Sequence, residues 1–298
     1  MELVTLFYTV DEFCKGFEPK YKAHLLESGK IQRVKPSSLS LSEILTIIIH
    51  FHQSNHRNFK HYYTDYVRVY LNSDFPGLVS YSRFVELMSS ASIPLQNLLI
   101  CLLGKPTTAN FIDSTKVVVC DNHRITRNKV FKGIAARGMS SMGWFYGFKL
   151  HLVVNERGDI TSFILTPGNV ADNNAELGAK LCKDLYGKLY GDRGYISKEL
   201  FEALWRQGTH LITGIRSNMK NKLLQLWDKL MLKKRNLIET INDQLKNSNQ
   251  IEHTRHRSPT NFLANLLAGL VSYQLQPKKP SLRFTKKEQR LLAQPLFM

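Results

Sequence analysis

The order of strand-like and helix-like segments between residues 110 and 215 is the feature that most constrains the fold of this chain. Three apolar, β-branched segments come first, and "NERGD" has the composition of a hairpin turn between the second and third. Two further short strands follow, each preceded by a helical pattern. The predicted strands cover residues 110–119, 144–154, 160–165, 188–192 and 210–215, and the predicted helices cover 173–185 and 197–207.

This order predicts an α/β fold class, with a mixed five-stranded sheet flanked by helices. The hairpin-linked strands are expected to be antiparallel, and the later helix-linked strands parallel with right-handed crossovers. Residues 1–106 precede the sheet and read as mostly helical, with a capping box at "SLSE" (40–43) and further helices at 58–71 and 80–91. The predicted organisation is a helical N-terminal region 1–106, an α/β domain 107–275 and a basic tail 276–298.

The charge balance indicates the class of partner. The 298-residue chain has 41 Lys and Arg against 24 Asp and Glu, a formal net charge of +17. Such a charge attracts polyanions, so nucleic acid is the first expectation and an anionic membrane surface the second. The longest apolar stretches, at 44–51 and 261–271, fall short of the roughly 18 residues that span a bilayer. With no signal peptide pattern and four scattered cysteines, we expect a soluble protein of the reducing cytoplasm, without a membrane partner.

Three acidic residues occupy positions where chemistry is expected. Asp113 lies within an apolar strand, Asp192 closes a strand at its carboxyl end, and Glu239 lies on a late helix. On that helix a polar stripe runs beside an apolar one. The polar stripe is Arg235, Glu239, Asn242 and Lys246, and the apolar stripe is Leu230, Leu237, Ile238, Ile241 and Leu245. From the helix alone, an ordinary Arg235–Glu239 ion pair on a solvated face, worth a few tenths of a kcal/mol, is an equally good interpretation.

The three acids together favour a functional interpretation. Carboxylates that converge raise one another's pKa unless a cation lies between them. Ligand sets made only of oxygen suit Mg²⁺ or Mn²⁺ rather than zinc. Two such ions, roughly 3.5–4 Å apart, can activate a water or a 3′-hydroxyl and stabilise the leaving oxygen of a phosphodiester. An acidic centre in a strongly basic chain therefore indicates metal-dependent phosphoryl transfer on nucleic acid.

A family resemblance is carried by a set of motifs in order along residues 110–274. These are "FIDST", "NKVFKGIA", "GWFYGFKLHLVVNERGDI", "TPGNVAD", "GDRGYIS" and "RNLIETINDQLK". With them the chain resembles the DDE transposases of bacterial insertion sequences, most closely the insertion sequence 982 family. The resemblance implies a ribonuclease H-like catalytic domain, with Asp113, Asp192 and Glu239 as both catalytic residues and ligands of two Mg²⁺ ions, for which Mn²⁺ can substitute. Arg235 and Lys246 fit the family signature Tyr-x2-Arg-x3-Glu-x6-Lys, although Leu232 occupies the tyrosine position.

Several basic residues are candidates for DNA binding. Arg235 and Lys246 are expected to hold phosphates near the metals, and helix-surface charge is the alternative. Residues 121–143 form a predicted loop, long for a hairpin, close to Asp113. We expect its basic side chains to contact phosphates: Arg124, Arg127, Lys129 and Lys132, with Arg137 nearby. Lys149 and His151 share one face of a central strand, where lining the site and an ordinary satisfied core pair are equally good interpretations.

The function implied by the resemblance is that of a DNA transposase. It would bind the inverted-repeat ends of its element, cleave them and join the 3′ ends to target DNA, as at least a homodimer on DNA and associated with the bacterial nucleoid. End recognition is assigned to residues 1–106, so a fragment starting near Pro106 is predicted to fold and bind DNA without end preference. The alternatives are a ribonuclease H-like nuclease and a catalytically inactive, transposase-derived DNA-binding protein.

Overall fold

The computed structural model describes residues 1–34, 36–140, 143–215, 219, 224–252 and 256–293. By internal contacts the chain divides into two compact units. The first contains Met1–Leu102 and Gln244–Pro277, and the second contains Leu103–Asp243 and Lys278–Met298.

The helices are α1 Leu3–Glu27, α2 Leu41–Gln53, α3 Phe59–His61, α4 Arg68–Tyr70, α5 Tyr81–Met88, α6 Ser92–Leu102, α7 Ala175–Leu181, α8 Lys198–Arg206, α9 Leu226–Lys234, α10 Asn236–Asn247, α11 Pro259–Gln274 and α12 Lys286–Ala293. A π-helical turn, Tyr62–Val67, joins α3 to α4. The strands are β1 Ala109–Cys120, β2 Ala136–Ser140, β3 Gly143–Asn155, β4 Ile160–Pro167, β5 Gly187–Gly191 and β6 Thr209–Thr213.

The first unit is built around α11. Twelve of the sixteen residues of this helix are buried, because apolar side chains cover most of its circumference. It packs against α2 and α6. Residues 107–275 were predicted to form the α/β domain, whereas Gln244–Pro277 belongs to the first, helical unit. The reason is physical: a helix that is apolar nearly all round must be enclosed by other helices.

The first turns of α2 and α6 each contain a residue type that suits a helix start. The capping box is present, with the Glu43 amide donating to Ser40 Oγ at 3.1 Å and the Ser40 amide donating to Glu43 Oε2 at 2.6 Å. Pro94 follows the break between α5 and α6 and lies in the first turn of α6. Proline is tolerated there because the amides of a first turn have no partner within the helix.

The second unit contains a mixed sheet with the strand order β2–β3–β1–β5–β6, and β4 also pairs with β3. β1 and β4 are antiparallel to β3, whereas β5 is parallel to both β1 and β6. The five predicted strands are therefore confirmed, and their order β4–β3–β1–β5–β6 is that of a ribonuclease H-like sheet. The sixth strand, β2, lies within the segment that was predicted as a loop.

Helices cover both faces of this sheet. On one face α7 and α8 enclose an apolar cluster that includes Ile112, Leu189 and Leu200. Side chains alternate along a strand, so Tyr190, next to Leu189, points to the other face. There its hydroxyl donates to Asp228 of α9 at 2.8 Å. The sheet is thus buried between two helical layers, as expected for parallel strands.

The basic tail contributes structure to the second unit. Lys279 lies 3.1 Å from Asp159, and the Leu282 amide donates to the Glu156 carbonyl at 2.8 Å. Residues predicted only as a basic tail therefore pack on the β3–β4 turn and end in α12. Across the described residues no single helix is long and apolar enough to cross a membrane, and α5 with α6 meets that criterion only as a pair bent by 59°, on length and composition.

Candidate active site

The sheet register places Asp113 beside Asp192. Phe111 of β1 is the parallel partner of Tyr190 of β5. Asp113 and Asp192 each follow these partners by two residues, and both therefore lie just past the carboxyl end of β5. This is the edge at which α/β sheets usually carry their functional groups.

A tight turn fixes the Asp192 carboxylate. The side chain accepts a hydrogen bond of 2.8 Å from the Gly194 amide and caps the short 3-10 helix Arg193–Tyr195. A Cβ at position 194 would lie 2.9 Å from Asp192 Oδ1, closer than side chains tolerate. A side chain at this position would therefore displace the Asp192 carboxylate, and the glycine of "GDRGY" permits the close approach of backbone and carboxylate.

Arg235 links the third acid to the first. Its guanidinium forms an ion pair with Glu239, one turn further along, and Arg235 Nη1 lies 3.9 Å from Asp113 Oδ2. The Arg235–Glu239 pair of the alternative interpretation therefore exists. Glu239 itself is exposed, while the same arginine also faces the carboxylate of Asp113 on β1.

The pKa of Asp113 depends on burial and on the charges of the groups around it. The pKa of its carboxyl is raised to about 6, chiefly by burial and in smaller part by the charges of Asp192 and Glu239. Arg235 and the Ser114 amide oppose this rise. Asp192 and Glu239 thus disfavour ionisation of Asp113, which is the behaviour predicted for a carboxyl near other carboxylates.

Asn242 is a neighbour of the site to which sequence reasoning assigned no role. This residue of α10 is 7% exposed, and its Nδ2 donates to Asp113 Oδ2 at 3.0 Å. Its Oδ1 has no hydrogen-bond partner among the described residues. Its position on the polar stripe with Glu239 was the available signal, since residues three apart on a helix share a face.

A fourth carboxylate, Asp172, was also missed as a site residue. Asp172 Oδ1 accepts hydrogen bonds from Ser114 Oγ at 2.7 Å and from Lys149 Nζ at 3.1 Å. His151 Nδ1 lies 3.9 Å away, while its Nε2 is 2.9 Å from Thr166 Oγ1. Lys149 and His151 are thus satisfied inside the fold, and burial lowers the pKa of His151 to about 4. The signal was the position of Asp172 at the end of "TPGNVAD".

Tyr195 places a phenol among these carboxylates. Burial and the charges of Asp113, Asp172 and Asp192 raise its pKa well above the usual value, so the hydroxyl stays protonated. By hydrogen-bond distance and angle the hydroxyl has no partner among the described residues, although Ser114 is near enough to lower its pKa slightly. The hydroxyl is therefore a buried donor without a hydrogen-bond partner among the described residues.

The donor chemistry of the site suits a hard divalent cation. Asp113, Asp192 and Glu239 offer only oxygen, and Asn242 adds an unpartnered oxygen beside Asp113. In the arrangement described, no group of three or more His, Cys, Asp or Glu side chains from the described residues is close enough to hold an ion. Arg235 supplies the positive charge between Asp113 and Glu239 instead.

The predicted basic segment lies away from the acids. β1 continues from Asp113 to Cys120, which carries the following segment roughly 23 Å along the strand. β1 ends within one residue of its predicted end, so the length of strand between Asp113 and Cys120 separates Asp113 from the start of residues 121–143, which were expected to lie near it. Phosphate contact by these residues stays a prediction. The four predicted phosphate contacts are all exposed: Arg124, Arg127, Lys129 and Lys132.

Lys246 occupies a different environment from Arg235. It belongs to the first unit, where its Nζ lies 3.2 Å from Glu252 Oε2. Arg235 belongs to the second unit with the three acids. The two basic residues of the signature thus each have an acidic partner.

The sequence of a known domain matches this region. The family described as "Transposase DDE domain" matches residues 103–259, more than half of the 298-residue chain. The chain belongs to the DDE transposase family. Members of this family are nucleotidyl-transfer enzymes that use divalent metal ions. The family match covers Asp113, Asp192, Glu239, Asn242 and Asp172.

Among solved structures, this DDE transposase is similar to a piggyBac transposase in a synaptic complex with hairpin DNA, determined by cryo-electron microscopy. The two are 12% identical, the match covers 98% of this chain and 79% of the other, and the TM-score is 0.48. No curated protein matches the sequence.

Proposed function

We propose that this DDE transposase mobilises a bacterial insertion sequence of the 982 type. It binds the inverted-repeat ends of the element, cleaves there and joins the 3′ ends to target DNA. The observation that carries the proposal is the placement of three carboxylates: the sheet register sets Asp192 at the end of β5 beside Asp113 of β1, and Arg235 faces both Asp113 and Glu239 of α10. The net charge of +17 supports a polyanionic substrate.

Asp113, Asp192 and Glu239 are assigned as the residues that hold two Mg²⁺ ions, or Mn²⁺ in their place. When bound, such ions lower the pKa of the attacking water or 3′-hydroxyl and stabilise the leaving oxygen. The Asn242 amide orients Asp113 by its 3.0 Å hydrogen bond. The turn at Gly194 holds Asp192 in one orientation.

Arg235 is assigned a dual role. In the structure it offsets the charge of Asp113 and Glu239. Cations held by the acids would repel the guanidinium, and it would then be free to bind a DNA phosphate beside the scissile bond. Both roles use the same five donors of the side chain.

The DNA contacts proposed outside the acidic centre are electrostatic. Arg124, Arg127, Lys129 and Lys132 form an exposed basic segment, and Lys246 is a further phosphate ligand. Such contacts release counterions and give affinity without sequence preference. End preference therefore requires other residues, which we assign to the helical region 1–106. Holding two ends at once requires at least a homodimer, acting at the bacterial nucleoid.

One assay separates this proposal from its alternatives. Purified protein is incubated with Mg²⁺, a donor plasmid that carries the ends of the element, and a target plasmid. The proposal expects joined product that depends on the ends and on the metal. Nicks without end preference would identify a ribonuclease H-like nuclease, and binding without cleavage would identify an inactive DNA-binding protein.

A further inference from the structure

The first unit contains an open cleft with a volume of about 830 Å³. Its walls come from the segment leading into α3, from α5 and from the amino-terminal half of α11. All of its lining residues belong to the first unit, so the cleft is distinct from the acidic centre.

The rim of the cleft is positively charged. Arg57, Lys60 and Arg257 line it and are exposed, and no Asp or Glu is among the lining residues. Within the described part of the chain none of these three side chains forms an ion pair with a carboxylate. Three unpaired cations around one opening favour an anionic ligand.

The floor of the cleft carries two unused hydrogen-bonding atoms. Asn265 is only 3% exposed and its Nδ2 has no partner among the described residues. Asn261, one helical turn earlier, donates from Nδ2 to the Val85 carbonyl at 3.3 Å, and its Oδ1 has no partner among the described residues. Leaving a buried donor or acceptor unpaired is unfavourable, so a ligand that pairs both atoms recovers that cost.

Aromatic side chains complete the lining. The rings of Phe59 and Tyr81 lie with centroids 6.5 Å apart, and Lys60 Nζ is 6.0 Å from the centre of the Tyr81 ring. An aromatic ring face, one donor, one acceptor and several cations match the parts of a nucleotide. The aromatic surface suits the face of a base, the two amides suit its edge, and the cations suit its phosphate.

We propose that this cleft binds one unpaired nucleotide of a DNA substrate. The base lies against Tyr81 with its edge at Asn261 and Asn265, and the phosphate lies at Arg57, Lys60 and Arg257. A base stacked in a duplex cannot reach amides at the floor of a cleft, so the nucleotide must be flipped out or belong to a single-stranded end. The inference rests on the proposed function and deepens it, since it names the DNA structure that the helical unit recognises.

The test compares two DNA probes that differ in one feature. Full-length protein is titrated, by fluorescence anisotropy at about 0.15 M salt, into a blunt duplex and into the same duplex with a short unpaired 3′ tail. The tailed duplex is expected to bind about tenfold more tightly, the effect of stacking one base. A tail of abasic nucleotides should bind like the blunt duplex. Excess deoxynucleoside monophosphate should compete weakly, because it lacks the duplex contacts.

Variants locate the effect in the cleft. Tyr81→Ala, Asn265→Ala and Arg257→Gln are each expected to remove most of the preference for the tail while leaving blunt-duplex binding within about twofold, apart from a salt-dependent loss for the arginine. Asn97→Ala, an amide of the same unit that does not line this cleft, is the matched control. Arg257 and Tyr81 are at the surface or half-buried, so at least two variants keep the fold if Asn265→Ala does not.

Each outcome decides one claim. Equal binding of blunt and tailed probes by the native protein overturns the cleft and leaves the proposed function standing. A tail preference that survives in the folded variants, or that an abasic tail reproduces, also overturns it. Tight, stoichiometric capture of free monophosphate in preference to the tail would make the site one for a free nucleotide. Failure to bind any DNA would contradict the proposed function itself.

Discussion

At the scale of single residues, Asp113 is a buried carboxyl that lies near both positive and negative side chains. Its carboxyl is mostly buried, faces Arg235 and Asn242, and senses two other acids. A carboxylate in this position is unfavourable unless positive charge is near. Arg235 meets that need in the structure, and cations would meet it during catalysis. The residue is thus suited to exchange one positive partner for another.

Neutral isosteres at the three acids should separate binding from chemistry. Asp113→Asn, Asp192→Asn and Glu239→Gln are each expected to abolish cleavage of end-bearing DNA, since a lost metal ligand removes several kcal/mol of transition-state stabilisation. DNA affinity should change little in a gel shift. Asp184→Asn, at an exposed acid of the same unit, is the control. A variant that keeps a tenth of native cleavage does not belong to the triad.

Asp172 and Lys149 should be energetically coupled. Asp172→Asn leaves the Lys149 ammonium, 12% exposed, without its counter-charge. We expect this change to destabilise the protein, and Lys149→Met to relieve part of the loss, with an interaction energy of roughly 0.5–3 kcal/mol in a double-mutant cycle of denaturant unfolding. Strictly additive effects would show that the pair is not coupled.

At the scale of elements, the sequence predicted the helices and strands that depend on neighbouring residues. The five core strands, α7, α8 and the capping box of α2 were all read from apolar periodicity and turn residues. β2 was missed because "ARGMS" has no alternating pattern, and only its pairing with β3 makes it a strand. Asn242 and Asp172 were missed as site residues because their partners are distant in the sequence. Their roles depend on partners 129 and 58 residues away in the chain.

Stability of the helical unit should depend on pH through His52, near the end of α2. Burial lowers the pKa of its imidazole from 6.5 to about 4, and its Nδ1 lies 2.5 Å from the Asn249 carbonyl. In the unfolded chain His52 is protonated near pH 6.5, whereas in the folded chain it stays neutral until the pH approaches 4. Stability is therefore full above that pH and falls toward pH 4, by about 2 kcal/mol at pH 5.

Melting temperatures between pH 5 and pH 7.5 measure this effect. His52→Gln should lower stability at neutral pH and flatten the pH dependence, whereas His61→Gln, at an exposed histidine, should leave the slope unchanged. His256, also with a pKa lowered to about 4, keeps some dependence in the His52 variant. An unchanged slope in His52→Gln would assign the acid sensitivity to other groups.

The exposed basic segment after β1 should act on affinity and not on sequence preference. Replacing Arg124, Arg127, Lys129 and Lys132 by Gln is expected to reduce the slope of log K against log salt by up to about 3.6, near 0.9 for each lost phosphate contact. The ratio of end-bearing to random duplex affinity should stay constant. An unchanged slope would return these side chains to the solvated surface, and a changed ratio would give them a role in end recognition.

At the scale of the whole molecule, the division of the chain into units was the least predictable feature. The sequence predicted boundaries near residues 106 and 275, but the first unit also contains Gln244–Pro277, which follows the strands of the second unit along the chain. The apolar run at 261–271 was visible in the sequence. What it packs against was not, because α2 lies more than 200 residues earlier and nothing local identifies a partner at that distance.

This arrangement makes a prediction about fragments that differs from the one drawn from sequence. A fragment starting near Pro106 keeps α11 but loses α2 and α6, the helices that pack against it. Exposing its buried apolar side chains costs on the order of 10 kcal/mol, comparable to the whole stability of a domain. We therefore expect this fragment to aggregate.

A second fragment, in which a flexible linker replaces Gln244–Pro277 and joins Leu103–Asp243 to Lys278–Met298, should stay soluble and unfold cooperatively. Size-exclusion chromatography and thermal unfolding of the two fragments, side by side, make the comparison. A soluble, cooperatively folded fragment from Pro106 would show that α11 does not need the helices that precede the sheet.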